Sequence, residues 1–194
     1  DGPPVVLAGH SMGGTASILA AAERPDRVSK LVLMDPVIWT RLAVAAFQLP
    51  FFDRMSSHIP LVRSTLRRRS VFDSREQALA AYAGRGAFKG WSEMVLADYL
   101  SDGLVQTDEG FLLACSPAWE ASYYGAQSHD PWRALRRFGG PVQILKAETG
   151  SICHVPPRPW GLPNVTVEVV EGGGHLFPMT RADVARDALF EAVV

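Results

Sequence analysis

Residues 5–25 read VVLAGHSMGGTASILAAAERP, and the fold turns on how that stretch divides. Val5–Ala8 is a short apolar run ending in glycine, the pattern of a strand buried on both faces of a parallel sheet. Thr15–Glu23 is dense in alanine and leucine and reads as a helix, stopped at Pro25-Asp26. Lys30–Met34 (KLVLM) is a second buried strand, ending at Asp35-Pro36. Strand, helix and strand in that order make a βαβ unit with a right-handed crossover. Between the first strand and the helix lies a tight turn, and Ser11 sits in it, flanked by Gly9-His10 and Met12-Gly13-Gly14.

The rest of the chain is consistent with one α/β domain carrying an insertion. Its 194 residues suit that size. Hydrophobic residues at 47% and charged residues at 20% are near globular averages and argue against disorder. A net charge of −1 gives no basic field for nucleic acid or an anionic membrane. No apolar run approaches the ~20 residues of a membrane-spanning helix. Cys115 and Cys153 form no CxxC pair, so neither a metal site nor a disulfide framework is expected. Each is expected to be a buried free thiol, in a reducing compartment such as the cytoplasm.

From Pro36 to about Asp130 the sequence offers aromatics, prolines and arginines but little strand signal, and it reads as a helical insertion. Ser74-x-x-Gln77 predicts a helix through Tyr82, and Ser92 caps another to about Leu100. Regular alternation resumes with strands at Val142–Lys146 and Val165–Val170. Gly172-Gly173-Gly174-His175 then reads as a loop, and Thr180-x-x-Asp183 caps a final helix over 181–192.

Ser11 can be a nucleophile because its position supplies what a hydroxyl lacks. A serine needs a base to remove its proton and donors to hold the oxyanion. A strand that turns sharply into a helix lifts the side chain above the sheet and leaves the next amide free at the helix start. Gly9, Gly13 and Gly14 are expected to give the turn its room. The alternative is a turn serine in an unrelated βα loop.

The GHSMGG stretch, in this strand–turn–helix context, resembles the nucleophile elbow of the α/β-hydrolase family. That resemblance implies a mostly parallel sheet with helices on both faces and a helical lid. It assigns residues 1–36 to the elbow part of the core, 37–132 to the lid and 133–194 to the carboxy-terminal part of the core. It also implies an acid and then a histidine in chain order, with no cofactor and no metal. His175 fits the last place, following a strand in EGGGHLFP. His10 belongs to the elbow, His58 and His129 lie in or near the insertion, and His154 follows a strand in a proline-rich loop.

For the acid the family's commoner position falls on Gly150, with Glu148 two residues early. Asp35, ending the strand after the nucleophile's strand, is the favoured candidate, and Glu148 stays as the alternative. The backbone N–H of Met12 is the expected oxyanion donor.

Family members carry several strands before the elbow strand, whereas eight residues precede Gly9 here. The amino-terminal strands are therefore expected to be missing, with an upstream segment or a partner chain completing the sheet and supplying the second oxyanion donor. These residues on their own would then catalyse weakly or not at all. The expected activity is hydrolysis of an ester or related acyl bond in a small molecule through an acyl-enzyme. C–C hydrolysis, lactone hydrolysis and perhydrolysis stay open within the family. Large apolar side chains of the insertion, among them Trp39, Phe47, Phe51, Phe52, Met55 and Trp91, suggest a largely apolar substrate. Arg67-Arg68-Arg69 is either a carboxylate site or a solvated helix face. The competing class is a ligand receptor or non-catalytic binding protein on the same fold.

Overall fold

The computed structural model describes residues 2–49 and 59–193. The chain divides into two compact units, one made of Asp1–Val44 with Asp130–Val194, the other of Ala45–His129.

The first unit is built on four parallel strands: β1 (Val5–His10), β2 (Val28–Met34), β6 (Val142–Thr149) and β7 (Val165–Gly174), in the spatial order β1-β2-β6-β7. Residue Leu33 pairs with Gly9 on one side and Ile144 on the other, and Ile144 pairs in turn with Val167. Because all four strands run the same way, their carboxyl ends share one edge of the sheet, where Ser11, Asp35 and His175 follow β1, β2 and β7.

Helices cover both faces. Strand β2 shows why, since Leu31 and Leu33 point to one core and Val32 and Met34 to the other, all of them buried. On the first face lie α1 (Met12–Glu23), through Ile18, Ala21 and Ala22, and α7 (Pro131–Phe138), through Trp132, Leu135 and Phe138. On the second lie α8 (Phe177–Thr180) and α9 (Ala182–Val193), through Phe177, Ala185 and Ala188. Asp130 caps α7 by accepting the Arg133 N–H at 2.9 Å, Pro131 opens it, and Gly139 in the left-handed region closes it.

The second unit contains α3 (Pro60–Leu66), α4 (Arg75–Tyr82), α5 (Glu93–Gly103) and α6 (Pro117–Gly125), and α2 (Arg41–Phe47) straddles its boundary. Ser74 and Ser92 cap α4 and α5, as their spacing predicts. The unit also holds an antiparallel sheet that its sequence does not announce: β3 (Val71–Phe72), β4 (Leu104–Thr107) and β5 (Gly110–Leu113), in the order β3-β5-β4. These strands have two to four residues, too few for alternation to register. Phe72, Leu96, Leu100 and Leu104 form the unit's own core.

Three further expectations change. Strand β1 reaches His10 and is half-exposed rather than buried on both faces, because β2 is its sole partner among the described residues. Gly172–Gly174 belong to β7 rather than to a loop, with a register shift that pairs Thr149 with Gly174. Cys153 is buried, and burial pushes its thiol up to about 11, but Cys115 is exposed. No described helix is long and apolar enough to cross a membrane.

Candidate active site

Ser11 is the single residue between β1 and α1, and the turn is as sharp as that implies. Its backbone lies at φ 55, ψ −127, a region that non-glycine residues rarely occupy. Its carbonyl accepts from the amides of Gly14, Thr15 and Val37, and its own N–H donates to the Met34 carbonyl at 3.0 Å. A Cβ on Gly9 would stand 2.5 Å from the Gly13 carbonyl carbon, and one on Gly14 would stand 2.9 Å from Pro36 Cβ. The turn therefore closes on itself and on the Asp35-Pro36 corner beside it. Gly13, also expected to supply room, would meet nothing within 4 Å. Met12 opens α1, so its amide is one of the helix's unpaired amino-terminal donors, beside Ser11.

Asp35 is the second non-glycine residue at positive φ, at 42, and these two are the complete set among the described residues. Strain of this kind gathers at functional sites. The Asp35 side chain is wholly buried. Burial pushes its carboxyl up, but bonds from His175, Ser151 and the amides of Ala147 and Ile152 outweigh that and hold it below the usual aspartate range.

His175 stands between the two. Its Nδ1 lies 2.6 Å from Asp35 Oδ2 and its Nε2 lies 3.0 Å from Ser11 Oγ. A buried carboxylate can only accept, so the neutral ring carries its proton on Nδ1 and turns the lone pair of Nε2 toward the hydroxyl. That is the arrangement in which an imidazole can take a proton from serine.

His10, the elbow's own histidine, donates from Nε2 to the His175 carbonyl at 2.7 Å. Burial lowers its pKa below the ordinary histidine value and favours the neutral ring. Ser11 and His10, consecutive in sequence, thus hold His175 by its ring and by its backbone.

The remaining candidates lie elsewhere. Glu148 is exposed and accepts the Gly172 N–H at 2.8 Å, bracing the glycine-rich end of β7. His154 stacks on Trp39 at 5.6 Å. His129 ends the second unit. His58, Phe51, Phe52 and Met55 lie outside the described residues. Arg68 pairs with Glu120, and Arg69 sits over the Phe72 ring and donates to the Val71 carbonyl, so both serve the second unit internally. Two contributors escaped the sequence reading: Ser151, whose hydroxyl reaches Asp35, and the backbone bond made by His10. Neither carries a local signal, because both act across more than a hundred residues of chain.

Comparison with known proteins agrees with this architecture. Rat monoglyceride lipase is 63% identical over 35 residues, which is 18% of this chain and 12% of that protein. Lipase LipV of Mycobacterium tuberculosis is 55% identical over 38 residues, 20% of this chain and 14% of that protein. The crystal structure of E-2-(acetamidomethylene)succinate hydrolase superposes with a TM-score of 0.73 at 21% identity, covering 97% of this chain and 66% of that one. This chain thus matches short stretches of the two lipases and spans just under two thirds of that hydrolase. The model of the alpha/beta hydrolase family matches residues 1–188. The chain belongs to the alpha/beta hydrolase family.

Proposed function

We propose that this chain carries the nucleophile, acid and base of a serine hydrolase that cleaves an ester or related acyl bond of a small, largely apolar molecule. The single observation behind the reading is that one imidazole lies within hydrogen-bond reach of both Ser11 Oγ and Asp35 Oδ2. The names of the two lipases that share its local sequence favour an ester over other acyl bonds.

In this reading His175 Nε2 takes the Ser11 proton as Oγ attacks the substrate carbonyl. The Met12 N–H donates to the oxyanion, and Asp35 holds Nδ1–H and balances the charge of the imidazolium. The proton on Nε2 then goes to the leaving alkoxide as the C–O bond breaks, leaving an acyl group on Ser11. Water, deprotonated by the same nitrogen, attacks that acyl group and releases the carboxylic acid. Ser11 returns with its proton.

The test is covalent. A fluorophosphonate probe should label the full-length protein at Ser11, and p-nitrophenyl butyrate should be turned over. Ser11→Ala should abolish labelling and cut turnover by about 10⁴-fold or more. A folded protein that neither labels nor turns over the ester would return the fold to the role of a ligand-binding scaffold.

A further inference from the structure

Asp35 is anchored by a side chain from the segment that follows β6, the strand beside its own. Four donors reach its two oxygens. The Ala147 N–H at 3.1 Å and Ser151 Oγ at 2.5 Å approach Oδ1. The Ile152 N–H at 3.3 Å and His175 Nδ1 at 2.6 Å approach Oδ2. Three of the four come from the end of β6 and the chain just after it, and among those three Ser151 alone donates from a side chain.

The Ser151 hydroxyl is itself fixed. The Cys153 N–H donates to Oγ at 3.1 Å and occupies one of its lone pairs. Its proton is then left for Asp35 Oδ1, since the other acceptor in range, the Cys153 carbonyl, stands farther off at 3.5 Å. Gly150, at φ 63, makes the turn that delivers Ser151 to this position. A parallel bridge between Ile38 and Cys153, with the His154 N–H donating to the Ile38 carbonyl at 2.8 Å, ties the segment after β6 to the segment after β2.

We propose that Ser151 is a positioning residue of the reaction: its hydroxyl sets the rotation of the Asp35 carboxylate so that Oδ2 faces His175 Nδ1. The proposal rests on the serine-hydrolase reading above. The carboxylate is wholly buried, so no solvent can replace a lost donor, and Oδ1 without Ser151 keeps a single weaker amide. The ring can then turn away from the line to Oδ2, and the serine loses its aligned base.

The experiment compares Ser151→Ala with Ser151→Thr, which keeps a hydroxyl. Ser151→Ala is expected to slow fluorophosphonate labelling of Ser11 about tenfold and to lower kcat for p-nitrophenyl butyrate by a similar factor with KM unchanged. The low-field Hδ1 resonance of His175, followed by proton NMR, should shift or broaden. Ser151→Thr should restore all three. Labelling within about twofold of the parent with an unmoved resonance overturns the proposal, as does an equal loss in Ser151→Thr. A parent protein that never labels removes the hydrolase reading instead, whereas the Hδ1 resonance, which needs no turnover, still reports whether Ser151 orients the Asp35–His175 pair.

Discussion

Corners on one edge of the same sheet are built by opposite means. At the ends of β1 and β2 the chain turns through Ser11 and Asp35, side-chain-bearing residues held at φ 55 and 42. At the end of β7 it leaves through Gly172, Gly173 and Gly174, and the positive φ of 70 falls on Gly172. A non-glycine residue in such a region costs about 1–3 kcal/mol, so the first two corners persist because their surroundings enforce them. The strained backbone carries the hydroxyl and the carboxylate to that edge. The glycines aim nothing, and His175 takes its place from Ser11, Asp35 and His10. Ser11 and Asp35 are therefore brought to the edge by backbone geometry, with hydrogen bonds fixing the carboxylate's rotation, whereas His175 is placed by hydrogen bonds alone.

The largest effect expected from this contrast is at the acid. Asp35→Asn should lower kcat/KM by about 10⁴-fold, because an amide no longer favours the Nδ1–H tautomer and offers no charge to the imidazolium. Glu148→Gln keeps an acceptor for the Gly172 N–H and should stay within about tenfold of the parent. Steady-state kinetics with one ester, run on both variants, would reverse the assignment if the losses came out the other way round.

Next come the glycines of the strained corner. Gly9→Ala drives a methyl group into the Gly13 backbone and should destabilise the fold by about 3 kcal/mol. Gly13→Ala faces open space within a helix and should stabilise it by about 0.5–1 kcal/mol. Denaturant unfolding of the pair separates the two, and a Gly9→Ala protein as stable as the parent would contradict the idea that crowding enforces the turn.

The smallest effect belongs to His10, one of the bonds that place the base. Burial holds its folded pKa below the ordinary 6.5, so the unfolded chain takes up the proton first. Its contribution to stability is therefore whole above the unfolded value and is lost as the pH falls below it. Between about pH 7 and pH 5 the melting temperature of the parent should drop more than that of His10→Gln, whose side chain does not titrate. Parallel curves would mean that His10 feels no such burial.

Much of the first unit is legible in sequence because its signals are local. A four-residue apolar run, a serine between glycines and an alanine-rich segment identify β1, the turn and α1 without knowledge of the rest. The structure moves their bounds to Val5–His10 and Met12–Glu23, which sharpens the turn to one residue. Helix α7, which the sequence reading passed over, had visible signals in Asp130-Pro131 and Gly139 and in Trp132, Leu135 and Phe138 recurring at helical spacing between arginines. The sheet of the second unit is harder still. Its strands are very short, and Val71 and Phe72 find their partners some forty residues away.

From the order of residues alone came the α/β class, the sharp corner at Ser11 and His175 as the expected partner of that serine, because a tight turn and a strand-end histidine are written within a few positions. The sequence already favours Asp35 over Glu148, but bringing its carboxylate onto His175 Nδ1, recruiting Ser151 and fastening His10 to His175 needed the folded chain. These contacts join residues 116 to 165 positions apart, and strand order and register, which no local pattern encodes, determine which strand ends become neighbours.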